Sequence, residues 1–279
     1  MTGPAGRGGL VVASIVAVLV PAVRAQSPQP PPPMSGNVTF VGDYRFRGLS
    51  QTYNQPALQG GAEYASVIGA YVGGWSSNVS GNQFLNGGSL EVDLYGGYRR
   101  TFGKLGLDAG MQYYWYPSAR YNIDPGDSYN TVEVYFGARY QQFTAKYSHA
   151  LTDLFGMKTS TIGGYCGMNA DGTPATADCL GTGSTKGSGY ADLGATFDVM
   201  GLSLALHYGY QYVRNYPQLS YSDYKIGLSR AFGGITLGAA AIGTDAESRF
   251  YRYTPTTAGS TETEDVSKAA FVLSASKAF

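Results

Sequence analysis

From Asn37 onward the chain alternates apolar and polar residues in twelve segments of about ten residues each, the length and period of strands that cross a membrane. Segment 202–212 sets Leu202, Leu204, Leu206, Tyr208, Tyr210 and Tyr212 against Ser203, Ala205, His207, Gly209 and Gln211. Segment 105–116 sets Leu105, Leu107, Ala109, Met111, Tyr113 and Trp115 against Asp108, Gly110 and Gln112. The other segments are 37–48, 57–66, 67–77, 89–99, 130–140, 143–152, 189–199, 221–230, 235–245 and 268–279. Alternation is weakest in 57–66, 67–77 and 235–245, which keeps counts of about ten or fourteen strands open.

The connections between segments alternate too. Those at 49–56, 78–88, 117–129, 153–188, 213–220 and 246–267 are long. Those at 66/67, 100–104, 141–142, 200–201 and 231–234 are tight. Short turns at one end and long loops at the other are the signature of a membrane barrel with an even strand number. A soluble sandwich predicts no such regularity. Composition agrees: 40 glycines, 24 tyrosines and only 14% charged residues suit short twisted strands with one apolar face.

The first residues read as an export signal. Arg7 precedes an apolar run from Leu10 to Val20, and Val23-Arg24-Ala25 offers small residues for cleavage. The run falls short of the roughly 20 apolar residues that a spanning helix needs. Gln26, in place of a cysteine, argues against a lipidated start. "SPQPPPPM", Ser27 to Met34, favours an extended spacer. The reading is a signal at 1–25, a spacer at 26–36 and a barrel at 37–279. Cleavage leaves 17 basic and 19 acidic residues, which offers nucleic acid no basic patch. The expected fold is therefore all-β, a transmembrane antiparallel up-and-down barrel of twelve strands in the bacterial outer membrane.

The strand ends carry further detail. Tyr113, Trp115, Tyr208, Tyr210 and Tyr212 fall toward the long-loop end, and Phe197, Phe232 and Phe279 near the short-turn end, as interfacial aromatic girdles do. Phe271, Leu273, Ala275 and Phe279 share a face and end on a terminal Phe. That resembles the signal by which the barrel-assembly machinery recognises its clients. Lys277 interrupts the face where a lysine can snorkel.

Several stretches resemble the TorF family of porin-like proteins. They include "NVTFVGDYRFRGLSQT" (37–52), "PALQGGAEYA" (56–65), "LEVDLYGGYR" (90–99) and "YYWYPSA" (113–119). "NTVEVYFGARY" (130–140), "FTAKYSHALTDLFG" (143–156) and "GSGYADL" (187–193) do so as well. The resemblance spans nearly all of the chain after the signal except 157–186, and it implies an outer-membrane barrel of a Gram-negative bacterium with a transport role.

Parity sends the charges inward. Asp43, Glu63, Glu91, Asp93, Asp108, Glu133, Asp192 and Asp223 face Arg45, Arg47, Arg99, Arg139, Lys146 and Lys225, with His207 among them. A mid-strand Arg or Lys facing lipid would cost roughly 2–4 kcal/mol. In the first segment Phe40, Tyr44 and Phe46 are expected toward lipid and Asp43, Arg45 and Arg47 toward the lumen, with Val41 a misfit on the wet side. Such charges either line a water-filled path or pair across a plugged barrel. Barrels of about eight strands hold only side chains and those of about 16–18 hold a channel. Twelve lies between, so a narrow pore for small polar solutes is the leading expectation. A closed barrel whose external loops bind a partner or surface is the alternative.

Cys166 and Cys179 sit in the longest loop. In an exported protein they are expected to form a disulfide, worth about 3 kcal/mol in the chain-entropy model. Two unpaired thiols are the alternative. "NADG" (169–172) with Asp178 lacks the acidic spacing of a calcium loop and reads as a turn. "GTGSTKGSG" (181–189) precedes a strand and is no phosphate loop. No metal or cofactor is expected. His149 lies on the outward parity, and Ser148 points to the opposite face. A lipid-modifying enzyme is thus the weakest of the three functional readings, and no catalytic residue is assigned.

Overall fold

A strand inside lipid satisfies its backbone only when both edges are paired, and closure of the sheet achieves this for every strand. A computed structural model of the protein describes residues 33–121, 126–254 and 263–279. The expected signal at 1–25, and the spacer as far as residue 32, lie outside them. The barrel comprises β1 Met34–Val41, β2 Ala57–Ala65, β3 Ala70–Asn78, β4 Leu90–Phe102, β5 Leu105–Trp115 and β6 Thr131–Tyr140. It continues with β7 Phe143–Ala150, β8 Gly189–Val199, β9 Leu202–Tyr212, β10 Tyr221–Phe232, β11 Ile235–Thr244 and β12 Ala270–Ala278. Each strand pairs antiparallel with its neighbours in sequence, and β1 closes on β12 with Asn37 opposite Ala278 and Val41 opposite Ser274. The fold is the membrane-spanning, twelve-stranded up-and-down barrel that the alternation predicts.

Outward positions are apolar and exposed, among them Phe40, Leu58, Leu94, Phe136, Ile226 and Leu273. Trp115, Tyr208, Tyr210 and Tyr212 are exposed toward the long-loop end, and Phe232 and Phe279 at the other. Tyr113 is half-buried and accepts a hydrogen bond from Asn130 Nδ2 at 3.0 Å.

The first strand departs from the sequence reading. It begins at Met34 and ends at Val41, where 37–48 was expected. The chain then turns inward. Arg45–Phe46 pairs with Leu49–Ser50 around Arg47-Gly48, whose φ angles of 47° and 80° make a left-handed tight turn. Phe40 is 56% exposed as expected, but Tyr44 is 1% exposed and Phe46 half-buried. Neither faces lipid. Tyr44 packs edge-on against Trp75 at 5.3 Å, and Phe46 against Tyr114 at 5.5 Å and Phe155 at 5.7 Å. Residues 49–56, expected as an external loop, belong in part to this inner hairpin. Val41, the apparent misfit, packs against the buried aromatic cluster around Tyr44.

The long connections close over the mouth above the hairpin. One cluster joins Tyr44, Val79, Phe84, Tyr114, Tyr116 and Tyr129. A second joins Leu154, Leu180, Val213, Tyr216, Leu219 and Phe250. Phe155 packs against both clusters, so the 151–188 loop reaches inward as far as the hairpin. Cys166 and Cys179 form a disulfide within this loop. Lys158 donates to Asp127 at 2.9 Å and holds that carboxyl below its ordinary range, tying two external loops together.

On the β3 to β6 side, glycines and tyrosines occur together for a shared reason. A methyl group added at Gly73 would meet the Tyr95 ring, at Gly97 the Tyr71 hydroxyl, and at Gly110 the Tyr135 hydroxyl. Each glycine lies directly opposite its tyrosine across the ladder. The missing side chain is the seat for the ring. Gly110→Ala would also place its methyl 2.5 Å from the Gly96 carbonyl. It is expected to cost about 1–3 kcal/mol through overpacking, read as a lower urea midpoint of the folded barrel in detergent. Gly74→Ala, whose methyl would find its nearest neighbours at 3.5 Å, should stay within about 0.5 kcal/mol of the parent.

Candidate functional site in the lumen

The lumen is organised around the hairpin tip. Arg47 leaves the β1 side and reaches the far wall. Its Nη2 donates to Glu133 Oε2 on β6 at 2.6 Å, and its Nη1 to Gln211 Oε1 on β9 at 2.6 Å. Its guanidinium lies 4.3 Å from the Tyr190 ring centroid on β8. Gly48 has no room for a side chain, since a methyl there would press on Thr244 and Asp223. The tip therefore touches β6, β8, β9, β10 and β11.

Arg45 holds the hairpin's base. Its Nε donates to Asp43 Oδ2 at 2.6 Å, its Nη1 to the Lys268 carbonyl at 2.6 Å, and its Nη2 to Asn54 Oδ1 at 3.0 Å. Asp43 also accepts from Ser50 Oγ at 2.5 Å. Breaking a buried, multiply hydrogen-bonded ion pair by removing one member typically costs 3–5 kcal/mol, so both arginines act as clamps.

Around the wall the charges fall into three groups. Near the short-turn end, Arg99 pairs with Glu63 and lies 4.0 Å from the Tyr71 ring. Tyr71 donates to Asp108 at 2.6 Å and meets the Tyr135 hydroxyl. Nearer the long loops, Glu91 and Asp93 lie fully buried side by side, and Gln112 donates to Asp93 Oδ2 at 2.8 Å. On the far side, His207 Nε2 lies 2.7 Å from Asp223 and Nδ1 3.6 Å from Asp192, while Tyr190 donates to Asp223 at 2.8 Å. Lys146 rests on the Tyr135 ring at 4.1 Å, and Lys225 lies on β10 facing inward.

Eleven of the twelve wall residues are buried or half-buried. Arg139 alone is exposed, at the short-turn mouth, donating to the Gln141 carbonyl at 3.1 Å. Asp43, Arg45 and Arg47 are inside as expected, but on the hairpin and not on the wall. The parts that sequence reading missed are Tyr71, Tyr95, Tyr135 and Tyr190, which fill the space between charges. Alternation marks them as inward but says nothing of their reach. His149 and Ser148 stand on opposite faces, the serine buried and the histidine beside Tyr147 with ring centroids 6.4 Å apart.

Two small cavities flank the hairpin. One, lined by Arg47, Tyr190, His207, Lys146 and Lys225, leaves about 70 Å³ for the centres of water molecules. The other leaves about 60 Å³ between the hairpin and a wall of small residues, Thr39, Thr236, Ala240, Ser274 and Ser276. They adjoin at Arg45, Lys225 and Ile242. Each has room for a few waters.

Residues 25–279 match the family model Gcw_chp, described as a bacterial protein of unknown function. The chain belongs to the Gcw_chp family. No curated protein matches this Gcw_chp chain. Among solved structures it is similar to the KdgM porin, at 8% identity over 88% of this chain and 99% of that one, with a TM-score of 0.46. It is similar to the NanC porin at 8% identity over 88% and 98%, with a TM-score of 0.47. A third likeness is OccK2 (OpdF) of Pseudomonas aeruginosa, at 14% identity over 81% and 58%, with a TM-score of 0.37.

Arg47 sets the hairpin's position in this Gcw_chp protein. Arg47→Ala leaves Glu133 without its counter-charge and frees the tip. A Leu49→Cys reporter on the hairpin should then react with a maleimide at least about tenfold faster than in the Arg47 parent, by easier local opening. An equal rate in both proteins would mean that the apolar contacts of Phe46 hold the hairpin alone.

Proposed function

We propose that the protein is an outer-membrane channel through which small polar solutes diffuse passively, and that the inner hairpin throttles the resting path. The pair of adjoining cavities beside the hairpin, one against β7 to β10 and one against β10 to β12, carries this reading. In the second of them the inward side chains are mostly small, Thr39, Thr236, Ala240, Ser274 and Ser276, with Lys225, Ile242 and Val272 among them, while the opposite wall is filled by tyrosines. A path along that side needs only a displacement of the hairpin, with no change in the barrel. Passive passage through a polar-lined route needs neither cofactor nor conformational cycle. Of the inward charges, those of the hairpin and of β7 to β10, with Asp93, line the cavities, while Glu63, Glu91, Arg99, Asp108, Glu133 and Arg139 lie outside them on β2 to β6.

The outer membrane is supported by the export-type start, by the apolar outer band and by the terminal Phe279, read as the contact for the barrel-assembly machinery. The TorF resemblance points the same way. One observation favours a second reading, a closed barrel displaying its loops: the aromatic clusters cover the mouth from above.

Planar-bilayer recording on the purified, refolded protein separates the two. Discrete small conductance steps are expected, and Arg47→Ala should enlarge them and add open-channel noise. No steps above background in either protein would sink the channel reading and leave the display barrel.

A further inference from the structure

The cavity beside the hairpin tip contains charges of both signs, but they differ in what they have left to offer. Its acids are engaged. Asp223 accepts from Tyr190 at 2.8 Å and lies 2.7 Å from His207. Asp192 is 3.6 Å from the same imidazole. Asp93 accepts from Gln112 at 2.8 Å through one oxygen, and its other oxygen is buried with no hydrogen-bond partner among the described residues. The arginines are engaged as well, Arg47 by Glu133 and Gln211 and Arg45 by Asp43 and three carbonyls.

Two cations remain. Lys225 and Lys146 both line the cavity, and among the described residues neither makes an ion pair within 4.0 Å. Lys146 rests on the Tyr135 ring and stands opposite Asp192 across the ladder. Lys225 also lines the second cavity, so it stands where the two spaces meet. A lysine ammonium is a compact point charge with three donors on a flexible stem, suited to a solute that arrives and leaves. The small hydroxyl-bearing wall next to it, with Thr39, Ser274 and Ser276, can meet the hydroxyl groups of the same solute.

We infer that Lys225 and Lys146 form a subsite for the carboxylate of a small hydroxylated organic acid, in the cavity between the hairpin tip and the β7–β10 wall. The inference rests on the channel reading and names the solute class for it. The engaged acids beside the subsite keep the site near neutrality overall, so binding is weak enough for release.

Gluconate is the probe, with sorbitol as its neutral counterpart of similar size. In planar bilayers, gluconate should reduce the potassium chloride current at concentrations where sorbitol does not. Lys225→Gln and Lys146→Gln should each raise the half-blocking concentration by about tenfold or more, the loss of one charge-assisted hydrogen bond. Lys225→Arg should retain most of the block, and Lys277→Gln, on the outer face, all of it. Channels that conduct but show no gluconate block beyond sorbitol, or the same block in both glutamine variants, would overturn the subsite and leave the channel intact. If no variant conducts, the channel reading falls by itself. Calorimetric titration of gluconate into detergent-folded protein then reads the subsite directly, with weaker binding in the glutamine variants expected and equal or absent binding overturning it.

Discussion

Closure of β1 on β12 is the constraint from which the rest follows. Pairing from Asn37–Ala278 to Val41–Ser274 removes the last free edge, and an open edge in hydrocarbon would leave several carbonyls and amides unsatisfied. Once the sheet is closed, parity has only two outcomes, lipid or lumen. Every ionisable residue placed mid-strand then goes inside. The lumen of this twelve-stranded barrel, filled by the hairpin and the tyrosines, leaves most of these carboxylates buried and too close to ignore one another. Charge pairing inside is thus a consequence of closure outside.

The pairing is asymmetric around the wall. Strands β2 to β6 send in Glu63, Tyr71, Tyr95, Arg99, Asp108 and Tyr135, and glycines on facing strands make room for three of the rings. Strands β10 to β12 and β1 send in mostly Gly, Ala, Ser and Thr. The hairpin fills the middle and leans on the far wall through Arg47. What remains open lies to one side of the barrel axis. Side-chain volume decides where it lies, since the backbone cylinder treats all twelve strands alike.

Most of the architecture was legible because period-two alternation and loop length are local signals that lipid enforces strictly. Strands β4 through β10 lie within a few residues of where alternation puts them. The hairpin was not legible, and the reason is specific. Asp43-Tyr44-Arg45-Phe46-Arg47 continues the alternation of β1, so its pattern is that of a strand crossing the bilayer. Gly42 and the Arg47-Gly48 pair were the available cues, the second a tight-turn signal of the X-Gly kind. Alternation cannot distinguish a residue facing lipid from one facing another wall of the same lumen. Tyr44 and Phe46 are apolar neighbours of an interior surface, and a pattern that records only polarity reads them as outward. For the same reason parity assigns a charged side chain a face and says nothing of who holds whom.

The division of labour among the cations is a matter of shape. Arg45, Arg47 and Arg99 each meet more than one partner at once: carboxylate with carbonyls, carboxylate with amide and ring, carboxylate with ring. A planar fork of five donors is pre-organised for such work. Replacing any of the three by lysine would keep the charge and lose the clamp. Lys146 and Lys225 stand in the same lumen with no ion pair within 4.0 Å among the described residues, and a lysine's entropy makes fixing it there unfavourable. The arginines fix the hairpin and the wall, and the lysines carry the positive charge that these contacts leave unspent, on the open side of the barrel.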